Sequence, residues 1–318
     1  MRAELRPSSL GEILDRTAQM YRSGFLLYFG IAAVSYAAVL LLSLVLDVLL
    51  HPQALTNPRA YASLRLAAGV VVGLFTMVPV SIAMAAVMQA VARNYLGQTC
   101  TIREAYAIVR RRWYRYILIL LTMYVYTFLP VALLMGILVG GAALLLAGAA
   151  RVAVLVLAVL LVFAGIAFAL WRVLRWALTI PASVMEDLPV HRALKRSSTL
   201  TQGGAGRIFV MLLLVGAIMT IIQYAFLVPT FILLVKSKGI ITLTTQVISS
   251  LGSSFSGAFV LPIYSIALTL FYYDQRIRKE GYDIEWLMQQ AAMTPGANPP
   301  VLPGTLAPQT EPPAPQSR

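Results

Sequence analysis

Six long stretches without Asp, Glu, Lys or Arg constrain most strongly what this chain can fold into. They cover residues 25–46, 66–92, 116–150, 152–171, 208–235 and 239–273. About 20 apolar residues cross the hydrocarbon core of a bilayer as a helix, which satisfies its own backbone polar groups there. The sequence therefore predicts an all-α fold: a polytopic membrane protein with six transmembrane helices.

The basic residues predict how these helices are oriented. If the amino terminus is cytoplasmic, 20 of the 25 Lys and Arg residues lie on the cytoplasmic side and five lie outside. This asymmetry follows the positive-inside rule and predicts that both termini are cytoplasmic. Arg outnumbers Lys 21 to 4, which hints at a GC-rich prokaryotic genome and hence at the prokaryotic cytoplasmic (inner) membrane. The net charge of +13 is then a topology signal that also attracts anionic lipid headgroups, and it does not indicate nucleic acid.

Residues suited to redox or metal chemistry are few. Cys100 is the only cysteine, so no intrachain disulfide can form, and His51 and His191 lie on opposite sides in the predicted topology. We therefore predict no cofactor and no metal site.

The predicted cytoplasmic segments share a helix-start pattern. Ser9 precedes Glu12, and Thr101 precedes Glu104, by the three residues of a capping box. Apolar residues after Ser9 fall on one helical face, which is typical of an interfacial amphipathic helix. Similar segments begin near Pro189 and Asp283, at spacings of about 90 residues. Two interpretations stay open: three pseudo-repeats of one interfacial helix and two spans, or the basic loops that any six-span protein has.

The predicted organisation has four parts. Residues 1–24 form a cytoplasmic amino-terminal interfacial helix and 25–273 the six-helix domain, while 274–292 form a carboxyl-terminal interfacial helix and 293–318 a disordered tail. Eight of the last 24 residues are proline, a composition that buries no core. Prolines also fall within or near the ends of five predicted helices, where simple kinks and the broken helices of transporters are alternatives: Pro79, Pro130, Pro181, Pro229 and Pro262.

Two groups of residues are candidate sites. Arg172 and Arg175, flanked by tryptophans, predict an anchor at the depth of the headgroups or a contact with an anionic solute, with Glu186 and Asp187 as counter-charges. The second group predicts close helix packing or a polar path, without a charge beside it: Gln246, Ser249, Ser253 and Gly257. We assign Asp47, on the outer side, to solvation of a helix end.

The end of the last apolar run predicts a boundary between a spanning helix and a surface helix. Tyrosines at headgroup depth precede charges that can pair four residues apart, Gly281 ends the helix, and Asp283 caps the next. The boundary motif consists of Tyr273, Asp274, Arg276, Arg278, Lys279, Glu280, Gly281 and Asp283.

Three segments carry a family resemblance: LRPSSLGEILDRTAQMYRSGF near the start, MEDLPVHRALKRSS in the middle and FYYDQRIRKEGYDIEWL near the end. They resemble the prokaryotic glycerophosphoryl diester phosphodiesterase membrane-domain family, over residues 5 to about 290. That family takes its name from members that fuse this region to a soluble phosphodiesterase domain. The resemblance implies a membrane module without the catalytic domain.

The expected function is that of a non-enzymatic accessory or scaffold protein. It would lie in the lipid bilayer and bind other membrane or cytoplasmic proteins. The alternative is a transporter or channel for a small or lipid-like anionic solute, and a phosphodiesterase-associated protein is third. Hydrolysis would need a general base or metal-bound water. Folding would have to gather carboxylates for that purpose, and the candidates are Glu104, Glu186, Asp187 and Asp274.

Overall fold

The computed structural model describes residues 7–56, 58–95, 98–145, 148–236 and 242–281, and the regular structure in these ranges is helical. Ten helices follow in chain order: α1 (Leu10–Ser23), α2 (Phe25–Thr56), α3 (Pro58–Tyr95), α4 (Ile102–Arg110), α5 (Trp113–Leu145), α6 (Gly148–Trp176), α7 (Thr179–Met185), α8 (Val190–Thr201), α9 (Ala205–Lys236) and α10 (Leu243–Glu280). Six segments, in α2, α3, α5, α6 with α7, α9 and α10, are long and apolar enough to cross a membrane. The predicted all-α, six-span fold is confirmed.

The central helix of the bundle is α10. It contacts α1, α2, α3, α7, α8 and α9, and most of it is buried, whereas the other five spans expose most of their side chains. Its serines and glycines let neighbouring helices approach closely. A Cβ atom added at Gly257 would lie 2.2 Å from the Tyr36 ring of α2, and one at Gly252 would lie 2.8 Å from the carbonyl oxygen of Phe226 in α9. The structure around Gly257 therefore agrees with the close helix packing that was one of the two predicted roles of this residue.

The short amphipathic helices begin where the sequence predicts. Ser9 with Glu12, and Thr101 with Glu104, form reciprocal capping boxes at the starts of α1 and α4. The third such helix, α8, begins after Pro189 without a side-chain cap. These caps are local, so spacing alone was enough to locate them.

All of the short helices lie at one end of the bundle. Ser8, before α1, donates a backbone hydrogen bond to Asp274 near the end of α10, and Arg196 of α8 pairs with Glu280. Arg93, near the end of α3, lies 3.9 Å from Glu104 of α4. We call this end the basic end: α1, α4, α7, α8 and the last two turns of α10. The opposite end is where α2 leads to α3 and α9 leads to α10.

The element order repeats three times: one short helix and two long ones, in α1–α3, α4–α6 and α8–α10, with α7 inserted before the third unit. This is the order that the three-unit interpretation predicts. The packing does not repeat, because α10 is central while α5 and α6 pair with each other at the periphery. The fourth predicted helix, near Asp283, lies outside the described residues. That the short helices lie flat on a membrane stays a prediction.

Helix limits resolve several of the sequence alternatives. Pro79, Pro130, Pro229 and Pro262 lie inside uninterrupted helices, whereas Pro181 lies in α7. The buried helix α7 was not predicted, because the fourth uncharged stretch ends at residue 171 and Pro181 was placed within or near the end of a spanning helix. The described part of the sixth uncharged stretch forms a single helix, since α10 runs unbroken from Leu243 across the 273/274 boundary to Glu280.

Candidate functional site

A network of ion pairs centred on Glu186 joins three elements at the basic end. Arg196 of α8 donates to both carboxylate oxygens of Glu186, with Nε 2.9 Å from each, and its Nη2 lies 2.7 Å from Glu280 Oε2. The Nε of Arg276 lies 3.2 Å from Glu280, and the Tyr272 hydroxyl donates to Glu186. Hydrogen bonds to Glu280 and then Glu186 raise the pKa of the Arg196 guanidinium. The network thus connects both α8 and the turn after α7 with α10 through ion pairs and hydrogen bonds.

A second network surrounds Asp274, which is 3% exposed. Its carboxylate accepts the backbone N–H of Ser8 at 2.8 Å and the Nε of Arg278 at 3.1 Å, and Arg207 of α9 pairs with it at 3.1 Å. Arg207 and Arg278 also donate to the Ser8 carbonyl oxygen, at 3.0 and 2.8 Å. Two cations and a backbone donor offset the burial of this carboxylate, so the network fastens the start of α1 to α9 and α10.

The remaining two candidate carboxylates have arginines of their own. Asp187 pairs with Arg112 and with Arg115, whose Nη1 lies 2.8 Å from Oδ1. Asp187 has φ of 55°, a left-handed conformation that aspartate tolerates better than most residues. Glu104 caps α4 and faces Arg93. Folding therefore distributes the four carboxylates among different arginines, and the described residues contain no group of three His, Cys, Asp or Glu that could hold a metal ion.

The boundary motif begins buried and ends exposed: Tyr273 and Asp274 are buried, whereas Arg278, Lys279 and Glu280 are exposed. Asp274 with Arg278 and Arg276 with Glu280 pair four residues apart, as predicted. Gly281 ends α10 in the left-handed conformation with φ of 65°, also as predicted. Tyr273 was expected at headgroup depth; in the structure it is 4% exposed and stacks on Tyr95 with ring centroids 5.4 Å apart. Neighbouring helices cover this tyrosine, and one sequence could not show that.

Lys279 also contributes to this end, since its Nζ donates to the Thr199 carbonyl oxygen of α8 at 3.0 Å. A cavity of about 260 Å³ lies beside the Glu186 network. Two arginines, a tyrosine and a glutamine give it a polar lining, and its wall consists of Gln89, Ala92, Arg93, Val184, Met185, Tyr273 and Arg276.

Arg172 and Arg175 lie where α6 reaches the basic end. The guanidinium carbon of Arg172 lies 3.7 Å from the ring centroid of Trp176, and that of Arg175 lies 5.3 Å from Trp171. The expectation that Glu186 and Asp187 neutralise these arginines is wrong. Glu186 instead pairs with Arg196 and Arg276. Asp187 pairs with Arg112 and Arg115.

The third group is a buried polar layer towards the opposite end, in which α2, α3 and α10 meet. Asp47 of α2 is 0% exposed and accepts hydrogen bonds at 2.5 Å from both Arg65 of α3 and Ser250 of α10. One helical turn away, Gln246 donates to the Tyr61 hydroxyl at 3.0 Å, and its buried Oε1 has no hydrogen-bond partner among the residues that the structure describes. The assignment of Asp47 to helix-end solvation is wrong, because α3 and α10 cover it.

This layer also corrects the predicted polar group of α10. Gln246 belongs to it, but Ser249 is only half-buried and Ser253 is exposed and donates to the Ser250 carbonyl oxygen of its own helix. The buried stripe is Gln246, Ser250 and Ser254, and a charge does accompany it. The signal that could have found it is the shared spacing of four residues in two of the helices of this layer: Tyr61 with Arg65, and Gln246 with Ser250.

The fold and these three groups define a multi-pass membrane protein with an ion-paired helical end and a buried polar layer. Comparison with protein families gives a match over residues 149–289 to the family described as the membrane domain of glycerophosphoryl diester phosphodiesterase. The predicted resemblance is confirmed for this membrane region, which begins with α6; the motif near the amino terminus lies outside the match. No curated protein and no solved structure matches the chain.

Proposed function

We propose that the protein is a non-enzymatic membrane module that presents a partner-binding surface at its basic end. The observation that carries this proposal is the engagement of each candidate carboxylate by arginine. Glu186 and Asp274 each have more than one cationic neighbour, and Asp187 is held by two arginines. A general base needs an oxygen that can reach a proton of its substrate, and arginine donors occupy oxygens of these carboxylates.

The surface of the basic end supports a role in binding. Exposed cations on or directly after three short helices are Arg22, Arg103, Arg110, Arg111, Arg192 and Lys195, and Arg278 and Lys279 at the end of α10 are exposed as well. Much of the acidic charge at this end is used within the networks, so a surplus of positive charge faces outward. Such a surface attracts anionic headgroups and acidic segments of proteins. By the positive-inside rule, we place it on the cytoplasmic face of a prokaryotic inner membrane.

The catalytic part of the proposal is tested with purified protein in liposomes that contain Mg²⁺ or Ca²⁺. We expect no release of glycerol phosphate from glycerophosphodiesters. Metal-dependent release that Glu186→Ala, Asp187→Ala or Asp274→Ala abolishes would overturn the non-enzymatic assignment.

The binding part is tested by crosslinking in native membranes, followed by purification. Replacing Arg103, Arg110 and Arg111 by glutamine neutralises one face of α4, and Lys236→Gln at the opposite end is the matched control. We expect the α4 variant to lose proteins that copurify with the parent and with the control. If the parent, the α4 variant and the Lys236→Gln control copurify with the same proteins, a binding role of this surface is contradicted.

Transport is the second candidate, and the polar layer around Asp47 favours it. An ionisable side chain buried among spans is a marker of substrate or ion pathways. In a Cys100→Ser background, Ser250→Cys would report on such a path. Labelling by a membrane-impermeant thiol reagent would support transport through the layer, and protection would support a closed, structural layer.

A further inference from the structure

The guanidinium of Arg172 lies among aromatic rings, and no described carboxylate pairs with it. Its central carbon is 3.7 Å from the Trp176 centroid and about 6 Å from three others, those of Tyr126, Phe168 and Trp171. Ring faces stabilise a cation, but they do not replace the oxygen acceptors that a guanidinium binds in its plane.

One donor of Arg172 is left unsatisfied. Its Nε atom is buried and has no hydrogen-bond partner among the described residues. A buried donor on a charged group is costly to leave unpaired, so an acceptor from outside the chain is expected there. A negatively charged acceptor would satisfy the donor and the charge together.

The position of Arg172 identifies where that acceptor comes from. Arg172 is one helical turn before Trp176, the last residue of α6, so it lies where the span reaches the basic end. Trp171 is 50% exposed and Tyr126 58%, as aromatic residues at a lipid interface are. Arg175 follows by three residues on the same side and is exposed, which places two cations over one face.

From this geometry we propose that Arg172 and Arg175 bind the phosphate of an anionic phospholipid. The phosphate oxygens accept from Arg172 Nε and from Arg175, while an acyl chain lies along exposed apolar side chains on the same face of α6, such as Phe168 and Leu157. A lipid with net negative charge is preferred over a zwitterionic one, because two arginines at one phosphate repel a headgroup ammonium. This site is separate from the binding surface of α4.

Tryptophan fluorescence gives a direct test. The chain has four tryptophans, so Trp113→Phe with Trp286→Phe leaves Trp171 and Trp176, both beside the site. This protein is placed in nanodiscs with increasing fractions of brominated phosphatidylglycerol or brominated phosphatidylcholine, whose bromines quench nearby indoles. We expect half-maximal quenching at about tenfold lower fractions of phosphatidylglycerol, the effect of one charge-assisted hydrogen bond.

The variants separate the site from general attraction to a basic protein. Arg172→Gln with Arg175→Gln should remove the preference, whereas Lys236→Gln, which neutralises an exposed cation at the opposite end, should keep it. Equal quenching by both lipids in the parent, or a preference that survives the double substitution, would overturn the proposal. Addition of inorganic phosphate should leave the preference unchanged; its loss would identify a soluble anion as the ligand and refute the lipid. The parent measurement stands even if a variant fails to fold.

Discussion

The buried pair of Asp47 and Arg65 makes an asymmetric prediction about stability. Both side chains take part in the same bond, but Asp47 is 0% exposed whereas the Arg65 side chain is 41% exposed. Removing the arginine therefore leaves a negative charge inside the bundle with Ser250 as its remaining described partner. Removing the carboxylate leaves a cation that can turn towards water or headgroups.

The magnitudes follow from that difference. Breaking a buried pair costs about 3–5 kcal/mol when the remaining charge has no other partner, and we expect Arg65→Gln to cost about 3 kcal/mol because Ser250 remains. Asp47→Asn keeps an acceptor for Ser250 and loses a half-exposed ion pair, so its cost should be about 1 kcal/mol. The double variant carries no stranded charge, and it should resemble Asp47→Asn, which gives a coupling energy of about 3 kcal/mol in magnitude.

The assay is reversible unfolding by sodium dodecyl sulfate in mixed micelles, and tryptophan fluorescence reports the fraction of protein that is unfolded. Arg111→Gln, an exposed arginine outside any described ion pair, is the control and should change the free energy of unfolding by less than about 0.5 kcal/mol. If Asp47→Asn costs as much as Arg65→Gln, or if the double variant costs the sum of both, the stranded-charge argument is refuted.

Two further predictions concern topology and packing. Burial raises the pKa of the Cys100 thiol, and the thiolate is the reactive form, so maleimide labelling should accelerate as the pH rises from about 7 to about 9. An impermeant maleimide should label Cys100 only after the membrane is permeabilised, and labelling in intact cells would reverse the predicted orientation. Gly252→Ala should lower stability by about 1–3 kcal/mol, because its Cβ would meet the Phe226 carbonyl oxygen. Gly216→Ala, with nothing within 4 Å, should be neutral or stabilising, and equal thermal unfolding midpoints would contradict the packing of α9 on α10.

Local features were predictable from the sequence. The six spans follow from long uncharged runs, and the starts of α1 and α4 follow from Ser9 with Glu12 and Thr101 with Glu104. The end of α10 at Gly281 and the pairs inside its last turns also follow, because their partners lie four residues apart. In each case the interacting groups are close along the chain, so spacing determines whether they meet.

The contacts that define the sites depend on the tertiary structure. Asp47 meets Ser250 across 203 positions, and Ser8 meets Asp274 across 266. A span in lipid is apolar both where it faces lipid and where it faces protein, so its sequence pattern does not reveal which side another helix covers. The sequence by itself determined the number of spans and the positions of the short amphipathic helices α1, α4 and α8, but not that of α7. The packing of α10 against α2, α3 and α9 decided that Asp47 is buried, and the pairing of α8 with α10 left Arg172 without a described carboxylate.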